Sequence, residues 1–499
     1  MGTDMSFTKF INNYRERLSE LFASDNYNRS IATGRGLPPE FLNKILECDP
    51  LSVFIPGEYG GRGSKTHETL SMLETSSYFS LPLSLMMGIN GALFLLPVAG
   101  YADKEVKKEV FQRFLEEKNM GGLMITEPEH GSDALRMQTL FTRDNGYYRL
   151  RGVKHWGGLT GQANYWLMTA REMDPGGNPG RDIGFFVHDS ARGGIKVEEY
   201  FPNLGLYMLP YGRNKIDIRV PEKYRLQPKT TGVTMMLDVL HRSRLYFPGM
   251  GTGFLKRMLD ESLDHTKKRQ VGGASLISYD QVKERLAKLQ AWFTASSAMS
   301  FFTSSNISAT DDTSRLDLAA NSIKAVVTDY MQEAAQSFLQ LTGAKGYRLD
   351  HLAGRSVVDS RPFQIFEGSN DILYQQITES VLKMMRKTKQ NNLFDFLKGY
   401  SLSEKSAGYL RDSLDFEIDF RMPQRKMVEL GRAIGKMVVM NMTIDLGASG
   451  FNTQMVSGGL KVLQQEITTT ISSFSFREKP DVLEDYQSNS NWLAFMEPS

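Results

Sequence analysis

The stretch Gln364-Ile-Phe-Glu-Gly-Ser-Asn-Asp-Ile-Leu-Tyr374 sets one carboxylate, Glu367, against a glycine and immediately ahead of a helix start. Ser369 or Asn370 can cap that helix, and Asp371 falls in its first turn, where the helix dipole favours an acid. A carboxylate fixed in direction this way serves either as part of a cap or as a base that removes a proton. The residues alone leave both uses open. A second segment, residues 121–133, runs Gly-Gly-Leu-Met-Ile-Thr-Glu-Pro-Glu-His-Gly-Ser-Asp and places two hydroxyls, Thr126 and Ser132, on glycine- and proline-rich turns.

Thr126-Glu127-Pro128 followed by Gly131-Ser132-Asp133 resembles the flavin-binding signature of the acyl-CoA dehydrogenase family. Glu367-Gly368-Ser369-x-x-Ile372 resembles the same family's catalytic-base segment. Both stand in the family's order and separation, and the resemblance spans roughly residues 30 to 385. It implies FAD in a crevice between a β domain and a helical bundle, an acyl thioester over the flavin, and Glu367 as the base that takes the α-proton. Hydride then leaves the β-carbon for flavin N5. The chemistry suits these residues, because a weakly acidic α-proton needs a base whose pKa is raised in a dry pocket. A backbone N–H at the Glu367-Gly368 turn can meet the thioester oxygen as charge develops there.

Carried over position by position, the resemblance implies flavin contacts from Thr126 and Ser132, and Trp156 packed on the ring. Arg269, in Arg-Gln-Val-Gly-Gly273, matches an arginine that pairs with the FAD pyrophosphate across a subunit boundary. Gln340 and Gly343 match a segment near the adenosine half, where Ala344 replaces a family glycine, and Ser369 and Asp371 match contacts to the adenine region. Arg244 matches an arginine that seats the thioester beside Gly368, although the family's acid three residues earlier is His241 here. Each has a plain alternative: turn chemistry for the hydroxyls, a core aromatic for Trp156, solvated helix ends for the rest. After Trp156 the family usually carries Thr or Ser two residues on, reaching flavin N5; this chain has Gly157-Gly158-Leu159. That run, with His130-Gly131, is similar to acyl-CoA oxidases, and a donor missing beside N5 changes flavin reactivity.

Several elements must position these residues. At 499 residues the chain exceeds one compact core, so about two to four domains are expected. Residues 1–118 read mostly helical, with apolar spacing over Met5–Ala23 and Lys104–Glu117. The apolar run Leu81–Tyr101 holds Pro82, Gly88, Asn90, Gly91 and Pro97, which suits a buried helix pair broken near Asn90 rather than a membrane span. Between 119 and 226 the period becomes two, with five short strands near 147–151, 165–171, 183–188, 195–200 and 215–220 around a connector at 174–182. Helical spacing returns near Gly249, and Gly249-Met-Gly251-Thr-Gly253 reads as a turn opening a helix after Pro248. Four long helices, 252–268, 279–302, 316–341 and 371–386, suggest a bundle within 227–389. Residues 390–499 form a helical extension, clearest at 423–446. The fold class expected is therefore α+β and mostly α: N-terminal helical domain, β-barrel or sandwich, four-helix bundle, helical extension.

Composition excludes other classes. Hydrophobic residues at 41% and charged residues at 23% describe an ordinary globular chain. A formal charge of +2, from 59 bases and 57 acids, gives no footprint for nucleic acid, and the extension is net acidic. A single cysteine, Cys48, suits a reducing cytoplasm, and no secretory leader opens the chain. The seven histidines lack ligand spacing, so no metal is expected.

The reading that follows is FAD-dependent α,β-dehydrogenation of an acyl thioester on CoA or acyl-carrier protein. The resemblance implies electron-transferring flavoprotein as acceptor and a homodimer or homotetramer. It is nearest the very-long-chain branch, whose C-terminal extension aids dimerisation and membrane contact. An acyl-CoA oxidase, or a non-catalytic flavin- or thioester-binding relative, is the alternative.

Overall fold

The computed structural model describes residues 5–23, 34, 36–174, 176–475 and 481–496. The first helices are α1 (Phe7–Phe22), α2 (Pro39–Leu46), α3 (Thr66–Phe79), α4 (Leu81–Asn90), α5 (Leu96–Tyr101) and α6 (Lys104–Glu116). In α1, Phe10, Ile11, Tyr14 and Leu18 face inward at helical spacing, and Tyr14 shares a 2.8 Å hydrogen bond with Ser76 of α3. The break expected near Asn90 is absent. A π-helical turn, Gly91–Leu95, joins α4 to α5 without interruption, and this apolar run is buried inside the protein. Gly91 permits it, since a Cβ there would stand 2.1 Å from the Phe54 ring. Asn90 instead ties the helix to the sheet, accepting from Gly121 N at 2.7 Å.

Seven strands follow: β1 (Gly121–Met124), β2 (Leu140–Asp144), β3 (Tyr147–His155), β4 (Tyr165–Met173), β5 (Pro179–Asp189), β6 (Ile195–Tyr200) and β7 (Gly212–Pro221). Their order is β1-β4-β2-β3-β7-β6, with β5 also paired to β4. Five of these were legible by alternation. β1 is nearly buried on both faces and so shows no period of two, and β2 is too short to register one. The 174–182 connector is shorter than its composition suggested, because Pro179–Asp182 already belong to β5.

The bundle comprises α7 (Gly232–Lys268), α8 (Asp280–Asn306), α9 (Asp317–Thr342) and, beyond the short α10 (Leu352–Ser360), α11 (Asn370–Thr388). A small hairpin, β8 (Gln270–Val271) with β9 (Ala274–Ser275), joins α7 to α8. The sequence reading started α7 some twenty residues late, because Pro248 and its glycines resemble an opening turn. The helix begins at Gly232, where Asp182 of β5 accepts from Gly232 N and Val233 N at 3.0 and 3.1 Å, and it carries Pro248 in its interior. Its glycines mark close crossings. A Cβ on Gly249 or Gly253 would lie 2.8 Å from Leu70 O or 2.0 Å from Glu74 O, both in α3; one on Gly251 would lie 2.2 Å from Val327 of α9.

The extension holds three short helices, α12 (Leu393–Lys398), α13 (Glu404–Ala407) and α14 (Arg411–Leu414), then α15 (Gln424–Ala448) and α16 (Thr453–Phe474). It widens the bundle. Gly431 of α15 brings two backbones together, since its Cβ would meet Tyr374 O of α11 at 1.9 Å. Glu466 of α16 accepts from Trp292 of α8 at 3.0 Å and Tyr330 of α9 at 2.9 Å, and pairs with Lys436 of α15 at 2.8 Å.

The Gly253–Glu74 crossing makes a stability prediction. Alanine is intrinsically the better helix former, by about 1 kcal/mol. Overpacking at this contact should nevertheless outweigh that gain, so Gly253→Ala lowers stability by about 2 kcal/mol. A urea midpoint at or above wild type would show that the helices do not approach this closely.

Candidate active site

Glu367 is carried on a backbone that only tertiary structure holds. Its φ is 54° and that of Gly368 is 90°, so two successive residues occupy the left-handed region before α11 begins. For a non-glycine residue that conformation costs of the order of 1 kcal/mol or more, and it persists where neighbours over-determine it. Those neighbours are visible. Phe363 and Phe366 pack at 5.0 Å and both lie against Phe247 of α7, anchoring the chain on the N-terminal side.

On the other side two buried cations grip consecutive carbonyls. Arg244 of α7 donates from Nε to Glu367 O at 3.0 Å, and its Nη1 reaches Asn321 Oδ1 of α9 at 2.7 Å. Lys324 of α9 donates to Gly368 O at 2.8 Å and to Asn370 Oδ1 at 3.0 Å. Asn370 therefore does not cap α11 with its side chain, and neither does Ser369. Its amide turns into the bundle, donating to Ala325 O, Thr328 Oγ1 and, at 2.7 Å, Asp329 Oδ1. Asp329 also accepts from Gln364 at 2.6 Å and from Tyr374 OH at 2.7 Å.

The carboxylate itself is asymmetric. Ser243 donates to Oε1 at 2.9 Å, whereas Oε2 is sealed from solvent with no hydrogen-bond partner among the described residues. Burial pushes the Glu367 pKa up, against the opposing pull of Arg244, the Ser243 hydroxyl and Lys324. A carboxylate with one oxygen fixed, one unengaged and a raised proton affinity is equipped to accept a proton.

The β domain carries the other residues the sequence singles out. Trp156, at a φ of 57°, is 51% exposed, with Phe201 behind its ring at 4.6 Å and Tyr211 at 6.1 Å. The segment 201–211 that backs it is bonded to the helix leading into the Glu367 turn: Leu206 N donates to Asp359 of α10 at 2.6 Å. Gly158 lies against α4, where an added Cβ would come 2.7 Å from Ile89. The nearest hydroxyl along the turn, Thr160, is buried and donates to Gly157 O at 2.7 Å. Thr126 is half-buried and accepts at its carbonyl from His155 N at 2.8 Å, and Ser132 is exposed on the neighbouring turn.

Beneath that turn lies a pair the sequence reading passed over. Lys154 and Glu127 are both buried and 2.8 Å apart. Lys154 also donates to Ile125 O at 3.1 Å and Thr169 at 3.2 Å, while Glu127 accepts from the N–H groups of Gln138 and Thr139. Burial draws the Lys154 pKa down to about 8, opposed by Glu127, and the pair thus holds both ends of the 126–138 loop.

The remaining candidates are not gathered at the Glu367 turn: along their helices Arg269 stands roughly 37 Å beyond Arg244 and Gln340 roughly 24 Å beyond Lys324. Arg269 is exposed where α7 ends at the β8–β9 hairpin, and Gln340 is exposed near the end of α9, followed by Gly343 at φ 71°. Asp371 pairs with Arg432 of α15 at 2.8 Å, a partner in the extension that no local pattern announced. Ser243, Lys324, Asn370 and Asp329 were likewise missed as a set. The available signal was Lys324 itself, a lone cation in the apolar run Ile323-Lys-Ala-Val-Val327.

Residues 14–118, 122–217 and 230–382 match the family profiles described as the acyl-CoA dehydrogenase N-terminal, middle and C-terminal domains. Cyclohexane-1-carbonyl-CoA dehydrogenase of Geobacter metallireducens is 24% identical over 371 residues, 74% of this chain and 94% of its own. The crystal structure of an acyl-CoA dehydrogenase complexed with FAD from Bacillus anthracis matches with a TM-score of 0.75 at 18% identity, covering 95% of this chain and 88% of that one. The prolyl acyl carrier protein oxidase AnaB matches with a TM-score of 0.66 at 17% identity, over 75% of this chain and 98% of its own. At such identities the solved structures speak to the fold, and the Bacillus anthracis match extends that likeness into the C-terminal helices.

The buried pair gives a test of the β-domain half of the site. Lys154→Met strands Glu127 without its cation and should cost about 3–5 kcal/mol. Adding Glu127→Gln should recover much of that loss. A double variant no more stable to urea than Lys154→Met alone would show that the two side chains do not act as a pair.

Proposed function

Because the chain belongs to the acyl-CoA dehydrogenase family, oxidoreductases that act on CH–CH bonds with FAD, we propose that it α,β-dehydrogenates an acyl thioester with Glu367 as the base. The observation that carries this reading is the Glu367 carboxylate: oriented by Ser243 through Oε1, and at Oε2 sealed from solvent and unengaged by any described residue.

The residues present fit the cofactor. Trp156 offers a half-exposed indole face backed by Phe201. Added Cβ atoms at Gly131 and Gly343 would meet nothing within 4 Å, leaving room along the surface. Thr126, Ser132, Trp156 and Gly158 would hold the ring portion. Arg269 would pair with the FAD pyrophosphate across a subunit boundary, Gln340 and Gly343 would lie near the adenosine half, and Ser369 and Asp371 near the adenine region, with Asp371 sharing its charge with Arg432. FAD, when bound, supplies the hydride acceptor.

The chain's own residues manage the proton. An α-proton of a thioester is weakly acidic, so a base kept at the ordinary carboxylate pKa would be too weak to remove it at neutral pH. Burial of Glu367 narrows that gap. Ser243 keeps Oε1 occupied, which directs abstraction to Oε2. The Glu367 N–H, presented on the left-handed turn, is the donor for the thioester oxygen as it gains charge. Arg244 and Lys324 hold that turn from below and spare it reorganisation during the reaction.

The thioester carrier is CoA or an acyl-carrier protein, and electron-transferring flavoprotein is the proposed acceptor for a dimeric or tetrameric enzyme of the cytoplasm. The apolar face of α15 is buried on the bundle, which supports packing rather than membrane contact as the role of the extension. A second reading has a specific observation behind it. Position 158 offers no hydroxyl, and that of Thr160 is committed to Gly157 O, which favours an oxidase that passes electrons to oxygen. Peroxide formed in air, measured against turnover with an artificial acceptor, separates the two.

Glu367→Gln should keep its flavin and its yellow absorbance yet lose substrate-driven bleaching by roughly 10³-fold or more. Bleaching at the wild-type rate would reject Glu367 as the base. In the wild type the base works only when deprotonated, and its pKa is raised. The bleaching rate should therefore fall with decreasing pH at values above the usual carboxylate range, and a rate flat across that range would count against this assignment.

A further inference from the structure

Lys324 stands out among groups that the proton transfer does not use. Its side chain is wholly buried in α9, where an alkyl chain would satisfy packing without the cost of desolvating a charge. Its acceptors are not carboxylates: they are the Gly368 carbonyl and the Asn370 side-chain oxygen, one and three residues beyond Glu367. Asn370 is in turn held by Ala325 O, Thr328 and Asp329, so the ammonium sits at the head of a buried polar chain that ends under the turn.

We propose that Lys324 is a positioning residue for Glu367, holding the left-handed Glu367-Gly368 turn through the Gly368 carbonyl and keeping a fixed cation close to the carboxylate. This rests on the reading of Glu367 as the base. Arg244 takes the preceding carbonyl from the opposite helix, so the two cations fix consecutive peptide planes from α7 and α9. A bare hydrogen-bond donor would hold the turn. The charge adds a second effect, because a cation beside a buried carboxylate favours its ionised form.

The charged groups around Lys324 are Arg244 on α7, Glu367 on the turn and Asp329 on its own helix; Asn370 and Ser243 complete the surroundings as neutral partners. Burial, then Arg244, draws the Lys324 pKa down to about 7, with Glu367 and Asp329 opposing, so the ammonium carries its charge below neutrality, where the acid limb is read. For Glu367 the direction reverses: Lys324 and Arg244 lower a proton affinity that burial has raised. Removing the Lys324 charge must therefore raise Glu367 further.

The test uses flavin-loaded full-length enzyme carrying Lys324→Gln, which retains a donor but no charge, and Lys324→Met, which retains neither. With an acyl-CoA that bleaches the wild type, both variants should keep KM while the acid limb of the bleaching rate moves to higher pH. Lys324→Met should also lose plateau rate, by about tenfold or more; Lys324→Gln should lose less. Difference infrared titration against Glu367→Gln reads the protonated carboxyl without turnover and should show the same displacement. Folded variants whose acid limb and carboxyl titration coincide with wild type overturn the proposal. If Lys324→Met does not fold, Lys324→Gln alone decides by the same comparison. A wild-type enzyme that bleaches with no thioester at any pH removes the reading of Glu367 and this inference together.

Discussion

Two carbonyl oxygens, those of Glu367 and Gly368, accept hydrogen bonds from a buried guanidinium and a buried ammonium, and the remaining architecture is organised around keeping that arrangement in place. A positive-φ turn that carries a glutamate is locally unfavourable. It survives here because Arg244 and Lys324 descend from two different helices, so the turn cannot relax without parting α7 from α9. The cations in turn are tolerable only because every strong acceptor near them is engaged: Asn321, Asn370 and the two carbonyls. Structure and chemistry therefore share one set of contacts. The same burial that makes the cations costly raises the proton affinity of Glu367.

Close helix approach is the means by which those side chains meet. Gly249, Gly251 and Gly253 let α7 press against α3 and α9 at backbone distance, which sets Arg244 and Ser243 a turn or two earlier at the right height beside α9. Gly431 does the same for α15 against α11. The extension thus bears on the helix that Glu367 precedes, through Arg432 on Asp371 and through the α15 backbone at Tyr374. A side chain at any of these glycines would open the crossing, and the loss would be felt at the turn.

The β domain meets this framework along a different seam. Its loop 126–138 is pinned from beneath by Glu127 and Lys154, and its loop 201–211 is bonded to α10 through Asp359. Trp156 sits between these two fixed loops with its ring partly open. An exposed aromatic with rigid backing, whose ring donates to no other described residue, is suited to stacking. Cofactor chemistry proposed for this crevice therefore draws on a preorganised wall, not on a mobile loop.

Much of this was legible in the chain. The order of helical, period-two and helical segments gave the architecture, because local periodicity is written in neighbouring side chains, and the resemblance of the Glu367-Gly368 and Thr126–Ser132 segments to family motifs marked candidate residues. The same local logic erred where a residue answers to distant neighbours. Pro248 and its glycines read as a turn, but a helix capped by Thr231, held at its first turn by Asp182 and crossed by α3, carries them through. Asn370 read as a cap, but Asp329 and Thr328 draw it inward. Residue types and their spacing by themselves determined most of the helices and strands, and with the motif resemblance they pointed to Glu367 as a base. Only the tertiary structure decided the company that base keeps, Ser243, Arg244 and Lys324, since a hydrogen bond across 44 to 124 residues leaves no period in the sequence.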